Sequence, residues 1–170
     1  MDAVFRIAVP ADAPVLTQTR RKAWESTYRG IYPDEMIDQF DFAYYLAKDE
    51  KRIADPDQLV FLLMDAERCG GYLCMGPPAY GPYKDFRFCL NALYLLPAYQ
   101  GLGYGRQAFA LAAEECRRRG MQKFFCGCNA HNLKARSFYG HMGGHLGRAR
   151  LGHRNPALDQ VYYEFTLRPD

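Results

Sequence analysis

The chain has 170 residues, 49% hydrophobic, 15% aromatic and 24% charged, which suits one packed domain and excludes a disordered chain. No apolar run approaches the ~20 residues that cross a bilayer. Net charge is only +3, yet eleven Lys or Arg stand against five Asp or Glu from Gly101 onward, and seven acids against two bases between Trp24 and Glu50.

The N-terminus, Met-Asp-Ala-Val-Phe-Arg, lacks a signal-peptide pattern, so a cytoplasmic location without membrane attachment is expected. The six cysteines, Cys69, Cys74, Cys89, Cys116, Cys126 and Cys128, are expected as free thiols. They contain no C-x-x-C pair, so no metal centre is expected. A basic second half suits a polyanionic ligand, and the acidic stretch a cationic one. Nucleic acid is not expected, because no recognisable binding motif accompanies the charge.

Phe5–Val9 alternates and ends at Pro10, as a strand does. Asp12 is placed to cap a helix running to about Thr27, with Leu16, Ala23, Trp24 and Thr27 on one face. Gly30 to Pro33 breaks it, and a second helical region, Asp34 to about Ala54, divides around Asp41. Leu59–Met64 and Tyr72–Met75 form a hairpin turning at Ala66 to Gly70. Gly76-Pro-Pro-Ala-Tyr-Gly-Pro82 is a loop, and an apolar strand closes at Leu96 and Pro97. Helical spacing at Ala108, Leu111, Ala112 and Cys116 carries the chain to Arg119 and Gly120. Lys123–Cys128 is a strand. Asn132 caps a helix bearing Ala135, Phe138, Tyr139 and Met142 on one face, with Gly143-Gly144 as its stop. His145–Leu151 and Gln160–Leu167 are the last strands. This order predicts one α/β domain over residues 1–170, with about seven strands in a mixed sheet flanked by four or more helices.

Between strand and helix stands Tyr99-Gln-Gly-Leu-Gly-Tyr-Gly-Arg-Gln107. Gly101, Gly103 and Gly105 permit close backbone approach and positive φ. The amides of a helix's first turn have no intrahelical partner, and the helix dipole favours an anion there. No Asp or Glu occurs between Gly101 and Ala113, and Arg106 lies in the opening turn, so a ligand is left to supply the negative charge. The dinucleotide pattern G-x-G-x-x-G fails because Arg106 stands where its third glycine is needed, and the P-loop's Gly-Lys-Ser/Thr is absent.

What fits is Gln-x-x-Gly-x-Gly, at Gln100, Gly103 and Gly105. This resembles the acyl-CoA signature of the GNAT superfamily of N-acetyltransferases. Two further segments strengthen the resemblance. Ala23-Trp-Glu-Ser-Thr-Tyr-Arg-Gly-Ile-Tyr-Pro33 is similar to the start of many bacterial members. Asn132-Leu-Lys-Ala-Arg-Ser-Phe-Tyr-Gly-His-Met-Gly-Gly144 is similar to the family's N-x-x-A-x-x-F-Y-x-x-x-G segment. The element order matches as well.

The resemblance implies an N-acetyltransferase that moves an acetyl group from acetyl-CoA to a primary amine of a small molecule or peptide. It implies that Leu95 and Leu96 border the thioester and pantetheine. Gln100, Gly101, Leu102, Gly103, Tyr104, Gly105 and Arg106 hold the pyrophosphate. Asn132 contacts the pantetheine arm, with Lys134 or Arg136 near the phosphates. Tyr139 corresponds to the tyrosine that protonates the departing thiolate, and its ordinary pKa of about 10 keeps the proton available. A strand N–H near Tyr94 to Leu96 is expected to face the thioester carbonyl. Trp24, Glu25, Tyr28, Tyr32 and Tyr94 are candidates for the acceptor site, where rings and carboxylates would attract a cation. Homodimers are common in this fold, so a dimer is an expectation.

One position departs from the family's pattern. Many relatives place a glutamate base on the fourth strand, and here Cys89 occupies that position. Deprotonating an amine of pKa about 10.4 at pH 7 costs roughly 4.6 kcal/mol, against about 1.4 for an α-amino group near 8. A low-pKa acceptor, a water relay to Glu25, Asp85 or bulk solvent, and weak or absent catalysis all remain open. So do a non-catalytic acyl-CoA-binding module and transfer of a bulkier acyl group, for which Gly76, Gly81, Gly101 and Gly103 would leave room.

Overall fold

A computed structural model describes residues 2–79 and 81–167, so Tyr80, within the predicted 76–82 loop, lies outside the described residues. Strand β1 (Val4–Ile7) leads through a 3-10 turn into α1 (Ala13–Tyr28), followed by α2 (Asp34–Asp38) and α3 (Phe42–Ala54). The hairpin β2 (Leu59–Asp65) and β3 (Arg68–Gly76) precedes β4 (Cys89–Leu95), α4 (Tyr104–Arg118) and β5 (Lys123–Asn129). The chain ends with α5 (Leu133–His141), β6 (His145–Arg150) and β7 (Gln160–Thr166). Each predicted element is present within a few residues of its expected bounds. The helical region after Pro33 divides as expected, with Asp41 accepting a hydrogen bond from Tyr44 N–H at 2.9 Å.

Asp12 precedes α1 as predicted, but its carboxylate does not cap that helix. It turns back to Val9 N–H at 2.8 Å and to the Arg6 guanidinium at 2.7 and 2.8 Å. Asp12 already has right-handed helical φ and ψ at the end of the 3-10 turn. A capping side chain starts from extended backbone, so this one is aimed the wrong way.

The seven strands form one mixed sheet in the order β1-β2-β3-β4-β5-β7-β6. All neighbours are antiparallel except β4 and β5. On one face, Leu73, Phe88, Leu90, Phe124 and Cys126 pack under α4 and α5 with Ala108, Phe109, Ala112 and Tyr139. On the other, Leu62, Tyr72 and Cys74 pack under α1 and α3 with Leu16 and Ile53. The alternation of strand side chains produces this division: Cys89 and Phe125 join Tyr83, Phe86 and Tyr162, while their neighbours Leu90 and Cys126 join the α4 face.

Two polar devices hold the first layer. Arg20 on α1 pairs through its guanidinium with Asp49 on α3, which is 1% exposed and also accepts from the Thr17 hydroxyl at 3.0 Å. The Arg20 guanidinium additionally lies 5.1 Å from the centre of the Tyr72 ring. No helix among the described residues is long and apolar enough to cross a membrane.

Candidate functional site

β4 and β5 begin as parallel neighbours but pair at only two positions, Cys89 with Phe125 and Leu90 with Cys126. Beyond these the strands part, although β4 continues to Leu95 and β5 to Asn129. Leu90 is 2% exposed, whereas Asn91 to Leu95 are all only half-buried. The cause is visible in the β3–β4 register. Cys74 faces Ala92 and Met75 faces Leu90, so Asn91 is an extra residue in β4. Such a bulge bends its strand and increases local twist. Asn91 is pinned by its side chain, which donates to Gln58 Oε1 at 3.2 Å and Pro77 C=O at 3.1 Å and accepts from Ala79 N–H at 3.2 Å. The result is a wedge-shaped gap at the carboxyl ends of two parallel strands, where open α/β sheets bind ligands.

The glycine loop stands at the mouth of this gap. Gly101 and Gly103 have φ of +74° and +89°, and nothing lies within 4 Å of a Cβ built on either. Their need for glycine is therefore conformational rather than steric. Gly103 is the N-cap of α4, whose first backbone bond runs from Gln107 N–H to Gly103 C=O at 3.1 Å. The amides of Gly105 and Arg106 precede this ladder, and the first turn carries no acid. Gly105 has another reason to be glycine. A Cβ there would lie 3.1 Å from the Phe138 ring, so it permits α5 to approach α4 closely. Gln100 donates from Nε2 to Leu95 C=O at 2.8 Å, tying the loop to the end of β4.

Other predicted residues divide between the site and the core. Arg106 and Leu102 are exposed at the loop, but Tyr104 is 6% exposed and its hydroxyl accepts from Ala3 N–H at 3.2 Å. Its side chain points away from the loop, leaving its backbone there. Asn132 caps α5, accepting from Ala135 N–H at 3.1 Å. Lys134 is exposed, and Arg136 donates to Ala130 C=O at 3.0 Å. Leu96 N–H donates to Gly70 C=O at 2.8 Å, so this amide is committed to β3.

Tyr139 is 5% exposed, beside Tyr163 and Phe165 on the α5 face of the sheet. Its hydroxyl meets the thiol of Cys126, the last β5 residue paired with β4. It therefore sits at the vertex of the gap while belonging to the core. Burial, reinforced by Cys126 and Cys128, raises its pKa well above the usual value. Cys89, at the position of the family's glutamate base, is 4% exposed among aromatic rings, and burial raises its thiol pKa as well. A neutral buried thiol is no base at pH 7.

On the opposite face, the Tyr28 and Tyr94 hydroxyls lie 2.6 Å apart, and Tyr28 stacks on Tyr32 with centroids at 4.1 Å. Trp24 packs edge-on against Tyr28, Tyr32, Phe40 and Tyr45, and its Nε1 is buried without a partner among the described residues. These rings spend much of their surface on one another. The acidic stretch is partly neutralised, since Arg29 reaches Asp38 at 2.8 Å, Asp34 at 3.1 Å and Glu25 at 3.8 Å. Gly76 and Gly81 do not leave room for a larger ligand: a Cβ would lie 2.6 Å from Asp57 C=O and 2.8 Å from Phe125 respectively.

Sequence reasoning missed a cluster at the start of β7. Asp159, 6% exposed, accepts from His153 N–H at 3.0 Å and lies 2.8 Å from His153 Nδ1 and 2.9 Å from His131 Nε2. These donors hold its pKa down at about 2. His131 and His153 are 22 positions apart in different loops, and no local spacing signals their meeting.

Residues 17–143 match the model of the acetyltransferase (GNAT) family. No functionally curated sequence matches the chain. Among solved structures, the paia N-acetyltransferase of Thermoplasma acidophilum, in complex with coenzyme A, superposes with a TM-score of 0.78 at 20% identity, covering 98% of this chain and 99% of its own. The yncA protein of Salmonella typhimurium, with its cofactor acetyl-CoA, gives 0.72 at 22%, covering 100% and 96%. Ribosomal-protein-alanine N-acetyltransferase from Brucella melitensis gives 0.72 at 24%, covering 96% and 99%. At these identities the likeness is one of fold.

Proposed function

The chain belongs to the acetyltransferase (GNAT) family, and from that premise we propose that it transfers an acetyl group from acetyl-CoA to a primary amine by direct attack in a ternary complex. The observation that carries this reading is the gap between β4 and β5, opened by the Asn91 bulge, with the glycine loop at its mouth. A flat thioester arm fits between separated strands, and its pyrophosphate meets an acid-free helix N-terminus. Relatives of the same fold have been solved with coenzyme A and with acetyl-CoA, which supports the choice of ligand.

In this reading the amides of residues 101–106 and the Arg106 side chain hold the pyrophosphate, where oriented N–H dipoles favour anions. Leu95 and Leu96 border the arm from β4, and Asn132 meets it from α5, with Lys134 and Arg136 on the phosphate side. The amine approaches from the α1 face, past Tyr28, Tyr32 and Tyr94, with Trp24 behind them and Glu25 at the rim. Its nitrogen attacks the carbonyl carbon, the C–N bond forms, and the C–S bond breaks with its electron pair on sulfur. Tyr139 supplies the thiolate's proton from the vertex of the gap. Its raised pKa keeps the hydroxyl protonated at neutral pH, so the proton is present when the thiolate forms.

Calorimetry with acetyl-CoA, followed by thiol release over polyamines, amino acids, aminoglycosides and peptides, tests the proposal. Binding together with acceptor-dependent release is expected. Binding without release on any class would reduce the protein to an acyl-CoA-binding module.

A further inference from the structure

The reaction above needs a group to take the proton shed by the attacking nitrogen, and β4 supplies none. Its residues nearest the bulge are Cys89, Leu90, Asn91 and Ala92, a buried thiol, two hydrocarbons and a pinned amide. Across the gap the situation differs. Asn129 and Gln160 form the last rung between β5 and β7, beyond the point where β5 has left β4. Gln160 and Gly127 line a small cavity together with Leu90 and Asn91, so the Gln160 face of β7 borders the bulge. Asp159 is the residue immediately before Gln160, and its C=O accepts from Ala130 N–H at 2.9 Å, fixing it to the wall of the gap.

The loop ending at Asp159 also covers the acceptor side. Asn155 Nδ2 reaches Met36 Sδ on α2 at 3.6 Å, and Arg29 links α2 back to the end of α1. His153 stands on this loop with its side chain 39% exposed. Its Nδ1 lies 2.8 Å from Asp159 Oδ1 and its backbone N–H donates to the same oxygen, while His131 occupies Oδ2 from the α5 side. An ionised carboxylate accepts only, so Nδ1 carries the hydrogen, and in the neutral imidazole Nε2 keeps its lone pair. Among the described residues, Nε2 makes no hydrogen bond.

We propose that His153, oriented by Asp159, is the general base for the acetyl transfer, an inference that rests on the reading of the site given above. A proton passes from the attacking nitrogen to His153 Nε2, directly or through one water, as the C–N bond forms. The C–S bond breaks, and sulfur takes the Tyr139 proton. Solvent then removes the proton from His153 and returns one to Tyr139, so the cycle closes. The charged groups near His153 are Asp159, His131 on the other carboxylate oxygen, Arg154 beside it in the chain and Arg136 behind Ala130, with Asp34 and Glu35 preceding the Met36 that its loop touches on α2. Asp159 is an orienting residue here, and His153 the group that meets substrate.

The test compares wild type with His153→Asn, His153→Ala and Asp159→Asn on an accepted amine, measuring kcat/KM against pH and acetyl-CoA affinity. Asparagine retains an N–H donor toward Asp159 but cannot take a proton. His153→Asn is expected to lower kcat/KM at least 50-fold and to abolish the acidic limb of the profile, with acetyl-CoA Kd within twofold of wild type. General-base removal ordinarily costs 10²–10⁴-fold. Added imidazole should restore His153→Ala at least fivefold, which a purely structural histidine would not permit. Asp159→Asn should move the acidic limb to lower pH, because the imidazolium loses its counter-charge. A His153→Asn enzyme keeping a third of kcat/KM with an unchanged limb overturns the base alone. A wild type that binds acetyl-CoA but acetylates no amine overturns the base together with the function on which it rests.

Discussion

The side-chain amide of Gln100 donates to the C=O of Leu95 at 2.8 Å, so the first residue of the glycine loop is fastened to the last residue of β4. The contact holds the loop's amides in register with the gap. Gln100→Ala should weaken acetyl-CoA binding about fivefold, the equivalent of one exposed hydrogen bond of about 1 kcal/mol. Calorimetry would read this, and an unchanged Kd would remove Gln100 from the site.

Gly103 and Gly105 should fail for different reasons. Gly103→Ala places a Cβ at φ +89° in open space, so its cost is conformational, about 1–2 kcal/mol, and falls on the loop. A roughly tenfold rise in acetyl-CoA Kd is expected. Gly105→Ala presses on Phe138 at 3.1 Å and should lower the unfolding temperature by separating α4 from α5. Paired calorimetry and thermal melts on both variants would distinguish loop from packing.

Tyr139→Phe keeps the ring in its core position and removes only the hydroxyl at Cys126. The expected outcome is at least a tenfold fall in kcat, with acetyl-CoA affinity within twofold and little change in melting temperature. Retention of more than half the turnover would assign Tyr139 to packing.

Asp49→Ala leaves the Arg20 guanidinium buried between α1 and α3 without its counter-ion. Breaking a buried pair on one side costs about 3–5 kcal/mol, which for a chain of this size corresponds to a fall in Tm of about 10 °C. Differential scanning calorimetry checks it. Asp49→Asn, which preserves shape and an acceptor, should lose less.

Asp159 ties folding to pH. Its folded pKa of about 2 lies below the ordinary 3.8, so its stabilisation is present above pH 4 and is lost as pH falls through about 2. Asp159→Asn should therefore be less stable than wild type at pH 7, and the difference should shrink between about pH 4 and pH 2. Urea unfolding at several pH values measures this, and a gap that does not narrow would contradict the assignment.

Local periodicity and turn chemistry are enough to place every strand and helix of this protein, because each is decided within a few residues. Gly103 and Gly120 mark the ends of α4, Asn132 and Gly143 those of α5, and the apolar run closed by Leu96 and Pro97 declares β4 a strand. The anion-binding loop is legible for the same reason: glycines, an acid-free turn and a helix start are contiguous. The gap is not legible. It depends on a single extra residue, Asn91, whose bulge appears only against β3 and whose anchors, Gln58, Pro77 and Ala79, come from elsewhere in the chain. Local pattern also cannot say that Tyr28 would spend its hydroxyl on Tyr94, that Arg29 would neutralise the acidic stretch, or that Asp159 would gather His131 and His153. Each of these joins residues distant in sequence, and a pairing of that kind exists only once the sheet has brought its strand ends together.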